Sequence, residues 1–242
     1  VKLSYCENII NNLNSSPILY INENGFKKYY IKEEIINKVN VISKYLRSIG
    51  VKKGDRIVGV VSNNAETLIS FLAVNSIGAI WSSCSPDFGE QAILDRFNQI
   101  EPKILFYSSN YVYGGKKFEI LKKIKNIENV LNTLEESICI DTSENDKSFI
   151  DKKLNDYEEN NKDLADLFFE RCNFNDPMYI LYSSGTTGKP KCILHNTGGP
   201  LIQHLKEQQL HGDICENDKL FYFTTCGWTV SYTHLRAHET EA

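Results

Sequence analysis

Residues 179–196 read YILYSSGTTGKPKCILHN. Two apolar runs, 179–182 and 192–194, flank a segment built almost wholly from hydroxyl residues, glycines and lysines. Ser183, Ser184, Thr186 and Thr187 surround Gly185 and Gly188, and Pro190 separates Lys189 from Lys191. Glycines let successive backbone N–H groups turn toward one point, hydroxyls add donors, and lysines add charge. Together they make a nest for a polyphosphate. A flexible Gly/Ser/Thr linker has a similar composition. Linkers, however, do not hold two lysines around a proline between two apolar runs.

A Walker loop needs a glycine five positions before the glycine of G-K-[ST]. Counting back from Gly188 gives Ser183, and Pro190 stands where the magnesium-binding hydroxyl belongs, so a Walker loop is excluded twice. Other reactive side chains carry less. The seven cysteines form no C-x-x-C pair, which fits reduced thiols better than a disulfide framework or a zinc site. Cys84 lies beside a loop, but the sequence offers it no base partner, so it is not read as a nucleophile. His195 reads as the end of a strand, and His204 and His211 as members of one helix without a metal. Trp81 reads as a core aromatic. Lys116 and Lys117 read as a solvated helix start.

Elements must position the loop. Ile31, Ile35, Ile36, Val39, Ile42, Leu46 and Ile49 recur at helical spacing, and Gly50 follows as a left-handed stop. The apolar run 57–61 reads as a buried strand. Asn63 is placed to cap a following helix, with Glu66 three residues on. Residues 79–82 read as a second strand, 88–99 as an amphipathic helix ended by Pro102, and 103–107 as a third strand. Strand, helix, strand, helix, strand predicts an α/β fold with a parallel sheet and flanking helices. The charged, Asn-rich stretch 141–163 predicts a surface excursion with a loosely packed helix, not a domain boundary. Too few residues separate Pro190 from the Asn196–Gly199 turn for a helix, so the phosphate-type loop is expected to join two strands. Pro200 suits the first turn of a helix running to about His211 and stopped by Gly212. Residues 219–225 read as a further strand.

The bulk numbers bound the function. The chain has 242 residues, 41% hydrophobic and 24% charged, which supports a globular core. A net charge of −4 argues against a nucleic-acid surface. The longest apolar stretch, 68–81, is short and contains Asn75 and two serines, so it predicts buried elements rather than a membrane span. No signal peptide is visible. The chain begins at Val1 and its only methionine is Met178, so a start upstream is expected.

YILYSSGTTGKPK resembles the phosphate-loop signature of the adenylate-forming enzymes: acyl-CoA synthetases, luciferases and peptide-synthetase adenylation domains. Residues 78–106 (GAIWSSCSPDFGEQAILDRFNQIEPKILF), 113–118 (YGGKKF), 195–214 (HNTGGPLIQHLKEQQLHGDI) and 223–228 (FTTCGW) narrow the resemblance to the acetoacetate–CoA ligase branch, the acetoacetyl-CoA synthetases. It extends from Val1 to Trp228. It implies a cytoplasmic enzyme that uses ATP, Mg2+ and CoA to convert acetoacetate first to an acyl-adenylate and then to a thioester. No nucleic-acid or membrane partner is implied, and oligomeric state is not given. Carried over residue by residue, Ser183, Ser184, Gly185, Thr186, Thr187, Gly188, Lys189 and Lys191 would hold the ATP phosphates, with Lys189 stabilising charge. Gly227 and Trp228 match the stretch that borders the acyl pocket, although Trp228 also reads as a plain aromatic. Phe88, Gly89 and Lys116 fall where related synthetases contact CoA. Another short-chain acyl-CoA synthetase and a non-catalytic nucleotide-binding module remain open readings.

The family pattern also has an adenine loop, a magnesium-positioning glutamate, a ribose-binding aspartate and a small C-terminal domain with the catalytic lysine. None is found here. Residues 1–230 therefore read as part of the large N-terminal domain, inactive alone. The tail 231–242, SYTHLRAHETEA, resembles translated sequencing adapter and is expected to be foreign and poorly packed. His234 and His238 are spaced as on a zinc-binding helix, but Leu235 replaces the glutamate of H-E-x-x-H.

Overall fold

The computed structural model describes residues 1–14, 18–141, 151–161, 166–183, 188–215, 218–221, 225 and 226. The chain opens with a short strand, β1 (Lys2–Leu3), helix α1 (Tyr5–Asn11) and a hairpin of β2 (Ile18–Ile21) and β3 (Lys27–Tyr30). Helix α2 (Lys32–Ser48) buries the expected stripe, including Ile35, Val39, Ile42 and Leu46, and the chain then turns at Gly50 with φ +86°.

Strand β4 (Arg56–Val60) follows, then helix α3 (Ala65–Ser76), β5 (Ile80–Cys84), helix α4 (Glu90–Phe97) and β6 (Ile104–Tyr107). After them come a hairpin of β7 (Asn110–Tyr113) and β8 (Lys116–Glu119), helix α5 (Leu121–Val130), β9 (Glu136–Cys139) and helix α6 (Lys152–Asn160). The chain continues through β10 (Cys172–Asn173), β11 (Pro177–Ser183), β12 (Lys191–Asn196) and helix α7 (Gly198–Lys206). A π-turn over Glu207–His211 prolongs α7 to Gly212.

Six strands form one sheet in the order β12-β11-β5-β4-β6-β9. All are parallel except the edge strand β12, which runs antiparallel to β11. The α/β fold and the hairpin around the phosphate-type loop are as the sequence predicts. Alternate residues of each strand serve two cores. Ile57, Trp81, Ile104, Phe106 and Leu181 pack with α1, α2 and α3, whereas Val58, Val60, Ile80, Leu105 and Ile180 pack with α4 and α5. A parallel strand buried on both faces tends to be a near-continuous apolar run, and the buried Ser82 and Ser83 of β5 are hydrogen-bonded. From β4 the chain steps to β5 on one side and then to β6 on the other. Such a reversal opens a crevice beyond the carboxyl ends of the strands, where ligands of open α/β sheets bind.

Trp81 is fully buried, edge-on to Phe71 at 6.2 Å and tilted against Phe106 at 5.9 Å. Its indole lies over Gly59, where a Cβ would stand 3.0 Å from the ring, so a side chain on β4 at this point would require the indole to shift by a few tenths of an ångström.

The structure corrects several local expectations. The cap of α3 is Asn64, not Asn63: Asn64 has extended backbone and its Oδ1 accepts from Thr67 N at 2.9 Å. With Asn64 as the cap the residue three positions on is Thr67, not Glu66, and the Glu66 carboxylate accepts from the buried Tyr30 hydroxyl at 2.7 Å. Phe88 lies outside α4, in a turn closed by Phe88 N–H to Ser85 O at 3.2 Å, and Gly89 is the cap. Residues 219–221 are not in a strand, and 222–224 lie outside the described residues. Cys226 is bonded to Ser83 of β5 and to Ser62 just after β4, so this residue lies over the ends of those strands. Helix α6 buries only Leu154, as a loosely packed excursion should. The tail 231–242 lies outside the described residues.

Candidate functional site

The β11–β12 hairpin pairs from Ser183 opposite Lys191 down to Pro177 opposite Asn196. Its loop leaves the carboxyl end of β11, beside the carboxyl end of β5. Ser184, Gly185, Thr186 and Thr187 lie outside the described residues; Ser183, Gly188, Lys189 and Lys191 are described. Gly188 has φ +111°, a conformation that a side chain would strain. Lys189 and Lys191 are exposed. Gln99, just past α4, donates from Nε2 to Pro190 O at 2.9 Å and so ties down the far end of the loop.

The approach to the loop is held from beneath. Ser82 Oγ donates to Ile180 O at 2.8 Å and lies 3.2 Å from Tyr182 Oη, which itself donates to Arg96 O at 3.3 Å. Burial raises the Tyr182 pKa and keeps the phenol protonated. His195 stacks on Tyr179 with centroids 4.7 Å apart. Its Nε2 is buried without a hydrogen-bond partner among the described residues, and burial lowers its pKa. His195 is thus part of β12 rather than a bare strand end.

Cys226 adjoins the predicted acyl-pocket residues. Trp81 Nε1 donates to Ser83 Oγ at 3.3 Å, and Ser83 Oγ donates to Cys226 O at 2.8 Å. Cys226 Sγ lies 3.4 Å from Ser62 O. This relay from the core places Cys226 over the carboxyl ends of β4 and β5. Gly227 and Trp228 themselves lie outside the described residues.

Of the residues assigned to CoA, Phe88 lies on the other face of the sheet. Phe88 packs on the α4–α5 core together with Tyr111 of β7. The Arg96 guanidinium lies 5.0 Å from the Phe88 ring centre and 5.7 Å from that of Tyr182. Lys116 and Lys117 are exposed on β8, not on a helix start. Gly114 and Gly115, at φ +59° and +72°, make the tight turn that sends the chain back as a hairpin. Tyr111 and Phe118 stack across it at 5.0 Å.

Other candidates resolve structurally. Burial pushes the Cys84 thiol up to about 12, so it stays protonated. His204 Nδ1 and Tyr5 Oη hydrogen-bond at 2.9 Å in the core, joining α7 to α1. Among the described residues no group of three His, Cys, Asp or Glu side chains is arranged to hold a metal ion. No helix among them is long and apolar enough to cross a membrane. Sequence reasoning missed Ser83, Gln99 and Arg96. Arg96 and Gln99 stand inside DRFNQIEPK, but their roles depend on what the fold brings opposite them. The Gly114–Gly115 pair was a readable hairpin signal.

A hairpin with a phosphate-type loop sequence, and Cys226 over the strand ends, at the carboxyl edge of a parallel sheet accord with the family comparison. The AMP-binding enzyme model matches residues 33–237, and the chain belongs to that family. Within it, the chain is similar to acetoacetyl-CoA synthetase of Mus musculus, 40% identical over 241 residues, covering 94% of this chain and 35% of that protein. Acetoacetyl-coenzyme A synthetase of Rhizobium meliloti is 39% identical over 237 residues with the same coverage. The solved acetoacetyl-CoA synthetase from Streptomyces lividans superposes with a TM-score of 0.87 at 32% identity, over 99% of this chain and 38% of that one. The chain spans about a third of the length of these relatives.

Proposed function

We propose that residues 1–230 belong to the ATP- and acyl-binding domain of a cytoplasmic acetoacetate–CoA ligase. In the first step an acetoacetate carboxylate oxygen bonds to the α-phosphorus of ATP, and the bond to the departing pyrophosphate breaks. In the second the CoA sulfur bonds to the acyl carbon, and AMP leaves with its oxygen. The first step brings two anions together, so charge stabilisation is the main demand on the protein. Ser183 to Lys189, with Lys191, would hold the β- and γ-phosphates: backbone N–H groups freed by the glycines donate, and the two lysines offset charge that builds on the leaving pyrophosphate. Gly227 and Trp228 would border acetoacetate, their approach set by the Ser83–Cys226 bond. Phe88, Gly89 and Lys116 would meet CoA. Mg2+ would add neutralising charge at the phosphates, but the described residues offer no donor set for it and no step is assigned to it.

The observation that carries the reading is the 40% identity to a named acetoacetyl-CoA synthetase over 94% of the chain, with the phosphate-type loop at the carboxyl edge of the sheet. The test is a substrate panel on the purified full-length protein. AMP and pyrophosphate release is expected to be faster with acetoacetate and CoA than with acetate and CoA. Equal or better use of acetate would overturn the assignment.

A further inference from the structure

We infer that Lys123 is a positioning residue for the thiol substrate, holding the turn at residues 85–89 in the shape that CoA meets. The inference rests on the proposed placement of CoA at Phe88, Gly89 and Lys116. Lys123 stands in the first turn of α5, yet its ammonium reaches back to two carbonyls of this turn. Nζ donates to Pro86 O at 2.8 Å and to Phe88 O at 2.7 Å. Phe88 N–H closes the same turn onto Ser85 O. Three residues further along α5, Asn126 Nδ2 donates to Glu90 Oε2 at 2.9 Å, so α5 grips both the turn and the start of α4. Arg96 covers the Phe88 ring from the other side.

The consequence is electrostatic and entropic. Two carbonyl oxygens converge on one cation, which turns their negative ends inward, away from any anion approaching outside. The other face of the turn is open: a Cβ built at Gly89 would meet nothing within 4 Å. Phe88 precedes it in the chain, and its ring packs on the same core as Tyr111 of the β7–β8 hairpin, on which Lys116 and Lys117 are exposed. An aromatic ring, an approachable backbone and the exposed Lys116 suit a thiol carrier with a phosphorylated nucleotide handle, while Lys117 pairs with Glu119 at 3.0 Å. A turn already fixed before binding spares the ligand the cost of ordering it. Without Lys123 the carbonyls lose their cation, and that ordering cost moves to CoA binding.

The test compares Lys123→Met, Lys123→Gln and Lys123→Arg with Phe88→Ala and Lys116→Ala in the full-length protein. Two readouts separate the steps: acetoacetate-dependent pyrophosphate exchange, which needs no CoA, and the KM for CoA in the complete reaction. Lys123→Met is expected to raise the KM for CoA about tenfold and leave exchange within about twofold of the parent. Lys123→Gln, which keeps one donor group, is expected to fall between and serves if the Met variant does not fold. Lys123→Arg, which can reach both carbonyls, is expected to restore most of the affinity. Exchange and ligation falling together in the Met and Gln variants would show a general structural role and overturn the inference. If Phe88→Ala or Lys116→Ala raises the KM for CoA while both Lys123 variants leave it unchanged, the inference fails and the CoA placement stands. If neither Phe88→Ala nor Lys116→Ala moves it, the placement fails and takes the inference with it.

Discussion

In the β11–β12 hairpin the strands that flank the phosphate-type loop pair with each other, so the loop is positioned first by its immediate neighbours in the chain, with Gln99 as one distant tie at Pro190. The turn at residues 85–89 is positioned instead by Lys123, which lies 37 residues from Pro86 and 35 from Phe88. Both segments sit at carboxyl ends of parallel strands, and both are proposed to meet phosphorylated substrates. The hairpin carries its chemistry in its own composition, with its lysines exposed. The turn carries almost none, and borrows a cation, an aromatic cover and an anchor from α4 and α5. A locally built loop can be altered with the rest of the molecule intact. A turn held across the fold depends on that fold.

The largest expected effect tests the hairpin's own chemistry. Removing one preorganised charge contact from a water-poor site typically costs about 2–4 kcal/mol in the transition state. Lys189→Ala in the full-length protein is expected to slow acyl-adenylate formation about a hundredfold or more, with the melting temperature nearly unchanged. Pyrophosphate exchange measures the first and calorimetry the second. Exchange near the parent rate would remove the loop from the site.

A smaller effect is expected at Gly188, whose φ of +111° a side chain does not readily adopt. Forcing alanine there costs about 1–3 kcal/mol. If the hairpin is a local device, that cost appears as a KM for ATP raised about tenfold, while the thermal transition of the whole domain shifts little. A matching fall in stability, read by denaturant titration, would show that the loop is tied into the core as the 85–89 turn is, and the contrast would collapse.

The smallest effect concerns His195 on β12, whose pKa burial holds below the usual histidine value of 6.5. The unfolded chain takes up a proton near that value, and the folded chain only at lower pH. The neutral ring therefore contributes its full stability above about pH 6.5 and loses it as the pH falls through the folded pKa. His195→Gln is expected to make stability less dependent on pH between 7 and 5. Parallel curves for parent and variant would place the ring in water and loosen the hairpin's attachment to Tyr179.

Local pattern was enough for the parallel sheet, the α2 stripe and the strand–loop–strand around Gly188, because each depends on periodicity or composition within a few residues. Asn64 displaced Asn63 as the cap because the helix start is set by which residue takes the extended backbone, and two adjacent asparagines are alike in sequence. The lysines of YGGKKF fell on a strand because the preceding glycine pair makes a tight turn, a local signal that went unread.

What the sequence set by itself was the expected kind of chemistry, a proposed phosphate nest with two lysines, carried on an α/β scaffold whose apolar runs demanded burial on both faces. The tertiary structure decided the rest. It chose Lys123, out of the run LKKIK, to bind two carbonyls. It set Arg96 between Phe88 and Tyr182, and ran the bond from Trp81 through Ser83 to Cys226. These roles were illegible in advance because a side chain's partner is set by where distant segments pack. The parallel strands bring together residues far apart in the chain, and a lysine in a charged helix looks the same whether it faces water or the carbonyls of a turn.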